Sequence, residues 1–580
     1  MSAPQYSPPS SSGAADTSFP REKGSEDAIT PAPAPAPQVI STGGQATTEE
    51  YVSEAQRAAQ AGQLPFRWAS LYEPAVVNPA NGKSYTFNLL RFWDPYATSF
   101  WLATLGFFTA FICWFSFGAL MTEAVRGDLK LTAEQVANSN LASLSGTVLV
   151  RFIAGPAVDR YGPRKVLASL LVLGAIPSAL VPTVTTKGGL YTIRFFISLL
   201  GGTFVPTQAW TTTWFDRQVV GTANAFSGGW GNLGGGLSPV LMINTFEGLV
   251  RAGMTHHLAW RISFLVLPVP LLFVVAALIL LLGRDHPAGK WSQRHQLAGT
   301  AMAVAAGREV HLDAREIREQ ERMRENAGAE GGRSEKVRAS AKGQDFFESG
   351  IKADAVDTAQ SEPLTPKSAL AVASDLRVWM TALCYMTSFG LETALDAALP
   401  QLLYGLFGGP NFTVADAAYA ASMYGLLNLF ARPGGGVICD ILYRKYRPQG
   451  LGVRAKVTFL IATATAQGVL MIGLGFYIDK GSPPTLGGVL GFLVGVAMTG
   501  FAANAAAYAC YGHFRPQNVG TVAGCVGAFG ALGGMIYTGI FKYQPGTKAA
   551  RTLGKKFWIA GIFNVVAILP FGFLPLGDAA

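Results

Sequence analysis

From about residue 97 the chain alternates long apolar stretches with short polar breaks. Apolar runs cover roughly 97–123, 139–158, 164–184, 189–215, 221–244 and 259–283. After a polar gap, six more cover roughly 375–404, 413–438, 453–477, 484–510, 518–541 and 555–577. As helices rising about 1.5 Å per residue, these runs are about long enough to cross a 30 Å hydrocarbon core. The pattern predicts an all-α membrane protein with 12 transmembrane helices. The polar stretches divide it: a disordered cytosolic tail over 1–95, a six-helix bundle over 96–283, a cytosolic central loop over 284–374 and a second six-helix bundle over 375–580. The tail is rich in Ser, Pro and Ala, including Pro31 to Pro37, and carries no apolar core of signal-peptide type. The central loop holds a charged run, Arg308 to Arg324, that suits either a solvated helix or a flexible linker, and a Thr365-Pro366 pair as a candidate phosphorylation site.

The fifth run contains Gly221–Gly236, GTANAFSGGWGNLGGG, with seven glycines. Glycine weakens a helix, so a span that accepts so many is used for close approach of another backbone or of a ligand. Its pattern recurs. Phe215, Gln218, Gly221, Thr222, Gly228, Gly231, Gly234 and Gly235 are matched 299 positions later by Phe514, Gln517, Gly520, Thr521, Gly527, Gly530, Gly533 and Gly534. An internal repeat inside apolar sequence points to a transporter of two pseudo-symmetric six-helix halves.

Composition agrees: 50% of residues are hydrophobic, 14% are charged and mean hydropathy is +0.29. The net charge of +9 lies on loops and tails, so it reports topology and not nucleic-acid binding. Basic residues after span 2 (Arg160, Arg164, Lys165) and span 8 (Arg444, Lys445, Arg447, Arg454, Lys456) place those loops and both termini in the cytosol. The loop between spans 11 and 12, with Lys542, Lys548, Arg551, Lys555 and Lys556, is basic yet should face outward, where it would draw anions to the mouth unless the charge rule is simply weak there. The five cysteines have no paired spacing and no histidine lies mid-span, so neither a disulfide framework, a metal site nor a cofactor is expected. Without a metal cluster, an activated nucleophile or a phosphate-binding loop, the chain does not read as an enzyme.

Two arginines stand out. Arg151 and Arg432 each precede a loop aspartate, Asp159 or Asp440, by eight residues, about 12 Å of helix, which puts them near mid-membrane. A charged arginine at that depth costs at least about 2.5–3.5 kcal/mol and should line a protein cavity. The alternative is that each pairs with a buried carboxylate, but spans 2, 4, 5, 8, 10 and 11 carry no mid-span acid, and Glu392 and Asp396 on span 7 are the nearest candidates. Two cations with at most one acid suit an anion, and guanidinium forks suit a flat oxyanion.

The stretch Gly155-Pro-Ala-Val-Asp159-Arg160-Tyr-Gly162-Pro-Arg164-Lys165 resembles the G-x3-D-R-x-G-x-R-[RK] loop motif of the major facilitator superfamily, and Arg432, Gly436 and Asp440 repeat its spacing on span 8. The resemblance implies that superfamily's fold and a cytosolic latch built from Gly155, Asp159, Arg160, Arg164 and Asp440. The A-x-S-G-G-W-G-N-L-G-G-G core, Thr203 to Phe215 and Ser388 to Glu392 resemble the nitrate/nitrite porter family, over about Phe100 to Gly534; the long central loop is more similar to fungal and algal members than to bacterial ones. It implies that Arg151 and Arg432 hold nitrate or nitrite with aromatic residues on the anion's faces. Phe111, Phe204 and Tyr385 are the aromatic candidates by position, each equally compatible with core packing. Asn232 matches the signature's polar residue and would bond the anion or a passing helix, whereas Ala531 stands where the second signature usually has asparagine. Gly228, Gly231, Gly234 and Gly235, with Gly527, Gly530, Gly533 and Gly534, would form sliding helix faces.

The resemblance thus implies a monomeric, multi-pass plasma-membrane protein, in a lipid bilayer, importing nitrate and nitrite by alternating access. Proton symport is expected, because uphill anion entry into a negative cell costs about 2.3 kcal/mol per charge per 100 mV. Glu392 is the candidate proton carrier, unless it is a water-exposed acid near the outer end of span 7 or a structural partner for an arginine. Nitrate/nitrite exchange, transport of another small anion such as formate, and nitrate sensing through the central loop are the alternatives. Removing residues 300–360 should spare a porter's flux and silence a sensor.

Overall fold

Twelve helical segments alternate with short breaks in the computed structural model, which describes residues 68–77, 82–294, 362–480, 482–543 and 553–573. The run Arg308 to Arg324 lies outside the described residues, as does most of the tail. The first six helices are α1 (Pro95–Leu120), α2 (Ala133–Tyr161), α3 (Pro163–Ala179), α4 (Lys187–Trp214, tightened to 3-10 over Ser198–Thr203), α5 (Val220–Arg251) and α6 (His256–Leu282, broken at Leu267). The second six are α7 (Leu376–Phe407), α8 (Val414–Leu426 and Asn428–Tyr446), α9 (Gly452–Asp479), α10 (Leu486–Phe514), α11 (Val519–Tyr543) and α12 (Lys555–Ile568). Eight of them are by themselves long and apolar enough to cross a membrane, nine when α7 is taken with the short helix Pro366–Ser374 from which it bends by 64°. The others are α5, diluted by its glycines, α8, interrupted beside Asn428 and Arg432, and α12, which is short.

Local sequence sets where these helices start, and the starts repeat. Asp94 and Asp375 cap α1 and α7, Thr132 and Thr413 close capping boxes on α2 and α8, and both pairs are 281 positions apart. Thr186 and Thr485, 299 apart, cap α4 and α10. Helix α5, like α3, α9 and α12, starts without a side-chain cap of its own.

Within each half the tightest packing joins the glycine faces to the first helix of that half. A Cβ on Gly235 would lie 3.2 Å from Phe115 of α1, and one on Gly530 would lie 2.5 Å from Tyr385 of α7. Gly231 abuts Phe107, Gly234 the Phe108 carbonyl, Gly533 the Met386 carbonyl, and Gly534 meets Leu144 and Thr393 at ordinary contact distance. Glycine is needed there because helix backbones lie where side chains would otherwise be.

The tail was expected to be disordered up to residue 95, but residues 82–89 are packed. Ser84 pairs with Phe215 through the Ser84 N to Trp214 O and Asp216 N to Ser84 O bonds, both 2.9 Å, and Phe87 stacks edge-on against Phe100 at 5.0 Å. A short apolar–polar alternation, Ser84-Tyr-Thr-Phe-Asn, is enough to add this strap. The end of the central loop is also placed: Glu362 N donates to Gln517 O at 2.7 Å, and exposed Thr365 caps the helix Pro366–Ser374.

Candidate site between the two halves

Arg151 and Arg432 both lie at 0% exposure, in α2 and α8. Each reaches across to the opposite half and to the same repeat position there. Arg151 Nη1 donates to Gly527 O of α11 at 2.6 Å, and Arg432 Nη1 donates to Gly228 O of α5 at 3.2 Å. The signature glycines therefore supply carbonyl acceptors as well as room.

The two arginines differ in everything else. Arg151 Nε donates to Gly201 O at 2.9 Å, and its guanidinium lies over the Phe204 and Phe389 rings at 5.0 and 5.1 Å. Arg432 forms a close ion pair with Glu392 Oε2, and its guanidinium lies over Phe501 and Tyr508 at 5.5 and 5.8 Å. Glu392 also accepts from Asn428 Nδ2 on Oε1 and from Asn504 Nδ2 on Oε2, each at 2.9 Å, and Ser388 Oγ donates to Asn504 Oδ1 at 2.7 Å, fixing that amide. Arg432 Nε is buried with no hydrogen-bond acceptor among the described residues.

An aromatic layer bridges the two. Phe204 stacks on Tyr385 (5.7 Å, 15°), Tyr385 stacks on Phe389 (5.0 Å, 6°), and the Tyr385 and Tyr508 hydroxyls lie 3.1 Å apart. A Cβ on Gly228 would lie 2.6 Å from Tyr508, so α5 closes onto this layer.

Of the expected site residues, Phe204 and Tyr385 are brought to the arginines. Phe111 is not: it packs against Phe107 and Trp114 at 4.4 and 5.1 Å, inside the first half. Asn232 Nδ2 donates to Gly228 O of its own helix at 2.6 Å, so it shares the carbonyl that Arg432 uses and, among the described residues, bonds no passing helix. Glu392 is buried in the middle of α7 and is neither water-exposed nor near its end. The sequence reading passed over Phe389, Tyr508, Asn428 and Asn504. Asn504 and Tyr508, one helical turn apart in an otherwise apolar span, were the available signal.

The residues expected to form a latch meet helix starts of the opposite half. Asp159 accepts from Gly520 N, Thr521 N and Thr521 Oγ1 at 2.9, 2.8 and 2.7 Å, at the start of α11. Asp440 accepts from Gly221 N, Thr222 N and Thr222 Oγ1 at 3.2, 2.6 and 2.8 Å, at the start of α5. Each aspartate thus caps a helix of the other half, where backbone amides and the helix dipole favour an anion. Gly155 permits this approach, since a Cβ there would lie 2.7 Å from Gly520 O. The arginines of the motif are engaged elsewhere: exposed Arg160 lies over Tyr161 at 5.2 Å, and Arg164 bonds Asp285 at 3.1 Å and the Leu280 and Gly283 carbonyls within its own half. At the opposite end, Lys542 of α11 donates to Asn138 of α2 at 3.0 Å.

Twelve helices in two repeated halves, most of them long and apolar enough to cross a membrane, with two buried arginines each bonded to the opposite half, are the architecture of a secondary transporter. The model of the Major Facilitator Superfamily matches residues 103–538, and the chain belongs to that superfamily. The solved proton:xylose symporter XylE, bound to 6-bromo-6-deoxy-D-glucose, shares the fold (TM-score 0.55, 14% identity, 83% of this chain and 96% of that one). So does FucP in the outward conformation (TM-score 0.53, 14% identity, 82% and 98%). In sequence the chain is similar to high affinity nitrate transporter 2.5 of Arabidopsis thaliana (28% identical, over 86% of this chain and 83% of that protein). It is also similar to nitrate transporter 2.2 of Chlamydomonas reinhardtii (30%, over 68% and 64%) and to the nitrate/nitrite transporter NrtP of Nostoc punctiforme (26%, over 77% and 87%).

Proposed function

We propose that this chain imports nitrate, and nitrite with it, across the plasma membrane as a monomer, by alternating access coupled to protons. The observation that carries the reading is the pair of fully buried guanidinium groups at repeat-equivalent positions, each anchored on the other half's signature glycine. A flat oxyanion between them would take donors from both halves at once and draw the halves together. The buried Arg432 Nε is a donor still to be satisfied, and Phe204, Tyr385 and Tyr508 offer ring faces and hydroxyls beside it. The relatives named as nitrate transporters support the choice of anion. The basic loops after α2 and α8 support a cytosolic latch end and cytosolic termini.

Glu392 supports coupling. It holds Arg432 by a direct ion pair, so an incoming anion competes with the carboxylate for the same guanidinium. A proton moving onto a Glu392 oxygen releases Arg432 to the anion. With one proton taken up per anion, the charge of the site is the same loaded and empty, and the cycle avoids the electrical cost of carrying an anion inward.

The test is nitrate uptake into proteoliposomes by wild type and Arg432→Lys, with and without an inward proton gradient. Loss of saturable uptake in Arg432→Lys supports the fork-shaped anion site, and dependence on the gradient supports symport. Normal uptake by Arg432→Lys sinks the site assignment, while gradient-independent uptake that needs internal nitrite favours exchange.

A further inference from the structure

The carboxylate of Asp440 occupies a complete oxyanion cradle at the start of α5. Besides the Gly221 and Thr222 donors, Lys456 Nζ donates to Asp440 Oδ1 at 3.2 Å. Lys456 is wholly buried, lies 4.5 Å from the Tyr443 ring and also donates to Arg217 O at 3.2 Å, so one ammonium belongs to both sides of the contact between halves. Its third neighbour is His513 Nε2, at 3.3 Å. Arg217, Lys83 and Arg447 are within electrostatic reach of the same histidine, and the carboxylate that Lys456 meets here is that of Asp440. The ordered strap puts Lys83 there, because Ser84 pairs with the Phe215–Asp216 backbone. The latch end of the pathway is thus rimmed with cations around a cradle that already holds a carboxylate.

A carboxylate and nitrate are both flat, with oxygens on a trigonal centre that accept parallel donors. Helix α5 has no side-chain cap of its own, so when Asp440 withdraws its first amides lose their partner. We propose that the transported oxyanion, after leaving the central arginines, binds this cradle in place of Asp440, so that anion on the latch side holds the latch open. This rests on the reading of the substrate as a flat oxyanion and of the latch end as its exit. Asp440 and the anion compete for Gly221 N, Thr222 N, Thr222 Oγ1 and Lys456 Nζ. The four-carbon stem of Lys456 lets its ammonium follow either the α5 side or its own half as they part. An anion that binds only with Asp440 withdrawn shifts the latch equilibrium by that preference and no more.

The experiment is a distance measurement between spin labels at Arg160→Cys and Gln449→Cys, exposed positions at the latch ends of the two halves, in the full-length protein in lipid. Sodium nitrate is titrated against chloride at constant ionic strength in the Arg151→Lys/Arg432→Lys background, which disables the central site. The long-distance population should grow at least about threefold with nitrate. Lys456→Met should abolish that response, and Lys456→Arg should retain it. No response to nitrate, an equal response to chloride, or a response that survives Lys456→Met overturns the proposal. Should the double-arginine background not fold, the same titration with the central site intact compares Lys456→Met and Lys456→Arg directly. Uptake by the unlabelled wild type tests the transport reading separately, so the two can fail independently.

Discussion

Arg151 and Arg432 occupy the same place in the two halves, 281 positions apart, yet one is held by neutral groups and the other by a carboxylate. Arg151 is gripped by two backbone carbonyls and two ring faces, none of which changes charge. Arg432 is gripped by a carboxylate, a group that can in principle bind a proton. The repeat shows how the difference arose. Phe111 is the counterpart of Glu392 at the same offset, and beside the arginines Phe204 and Val205 are answered by Ala503 and Asn504, 299 positions on. The second half gives up an aromatic ring and gains an amide that holds Glu392. Pseudo-symmetry has kept where the charges sit while altering what holds them, so a symmetric fold carries an asymmetric site.

The largest expected effect is at the fixed arginine. Arg151→Lys keeps the charge but cannot reach the Gly201 and Gly527 carbonyls as a fork, and kcat/KM for nitrate uptake should fall by about 100-fold or more, roughly 2.7 kcal/mol. Near-normal uptake would mean that the two arginines are not partners. Next is Glu392→Gln, which removes the competitor for Arg432. Nitrate should bind more tightly by about tenfold in a direct binding assay, while transport loses its dependence on the proton gradient. Retained gradient dependence would place the proton elsewhere and make the two arginine settings functionally alike.

Smaller effects separate the ring faces. Phe389→Ala and Phe204→Ala should each weaken nitrate binding by several-fold, in line with cation–π contributions of about 0.5–2 kcal/mol, whereas Phe111→Ala should alter stability and leave the nitrate KM in place. A KM shift at Phe111 equal to that at Phe204 would return Phe111 to the site.

The smallest concerns a region far from the arginines. Asp128, beyond the end of α1, receives hydrogen bonds from His257, Arg261 and Trp260. Burial works to raise its carboxyl, but these bonds and the Arg261 charge outweigh burial and hold it below the ordinary 3.8. A depressed folded-state value contributes stability above the unfolded value and loses it as pH falls through the folded one. Asp128→Asn should therefore lower Tm by about 2–4 °C near neutral pH, and the gap should close in acid below the ordinary carboxylate value. A gap independent of pH would assign the effect to packing.

The helices, their number, the repeat and the burial of both arginines were legible because each depends on local physics: apolar length, cap residues and 1.5 Å per residue. Helix limits were less so, with α5 running to Arg251 where the apolar run stopped at 244, because solvated ends stay helical beyond the hydrocarbon pattern. The motif also made Asp159, Asp440 and Gly155 visible as a group, but not the helix starts that the two aspartates meet. The resemblance implied an aspartate–arginine latch, while the fold offers two helix starts whose first amides find no acceptor in their own helix.

What the sequence by itself determined is a membrane protein of two related halves with a guanidinium at the centre of each. Only the tertiary structure decided that Glu392 belongs to Arg432, that Phe389 and Phe204 belong to Arg151, that Phe111 belongs to neither, and that Asp440 shares its cradle with Lys456. Burial depth along a helix follows from counting residues. The direction in which a side chain points, and which of several remote groups it meets, follows from how helices cross, and that is fixed by contacts between residues hundreds of positions apart.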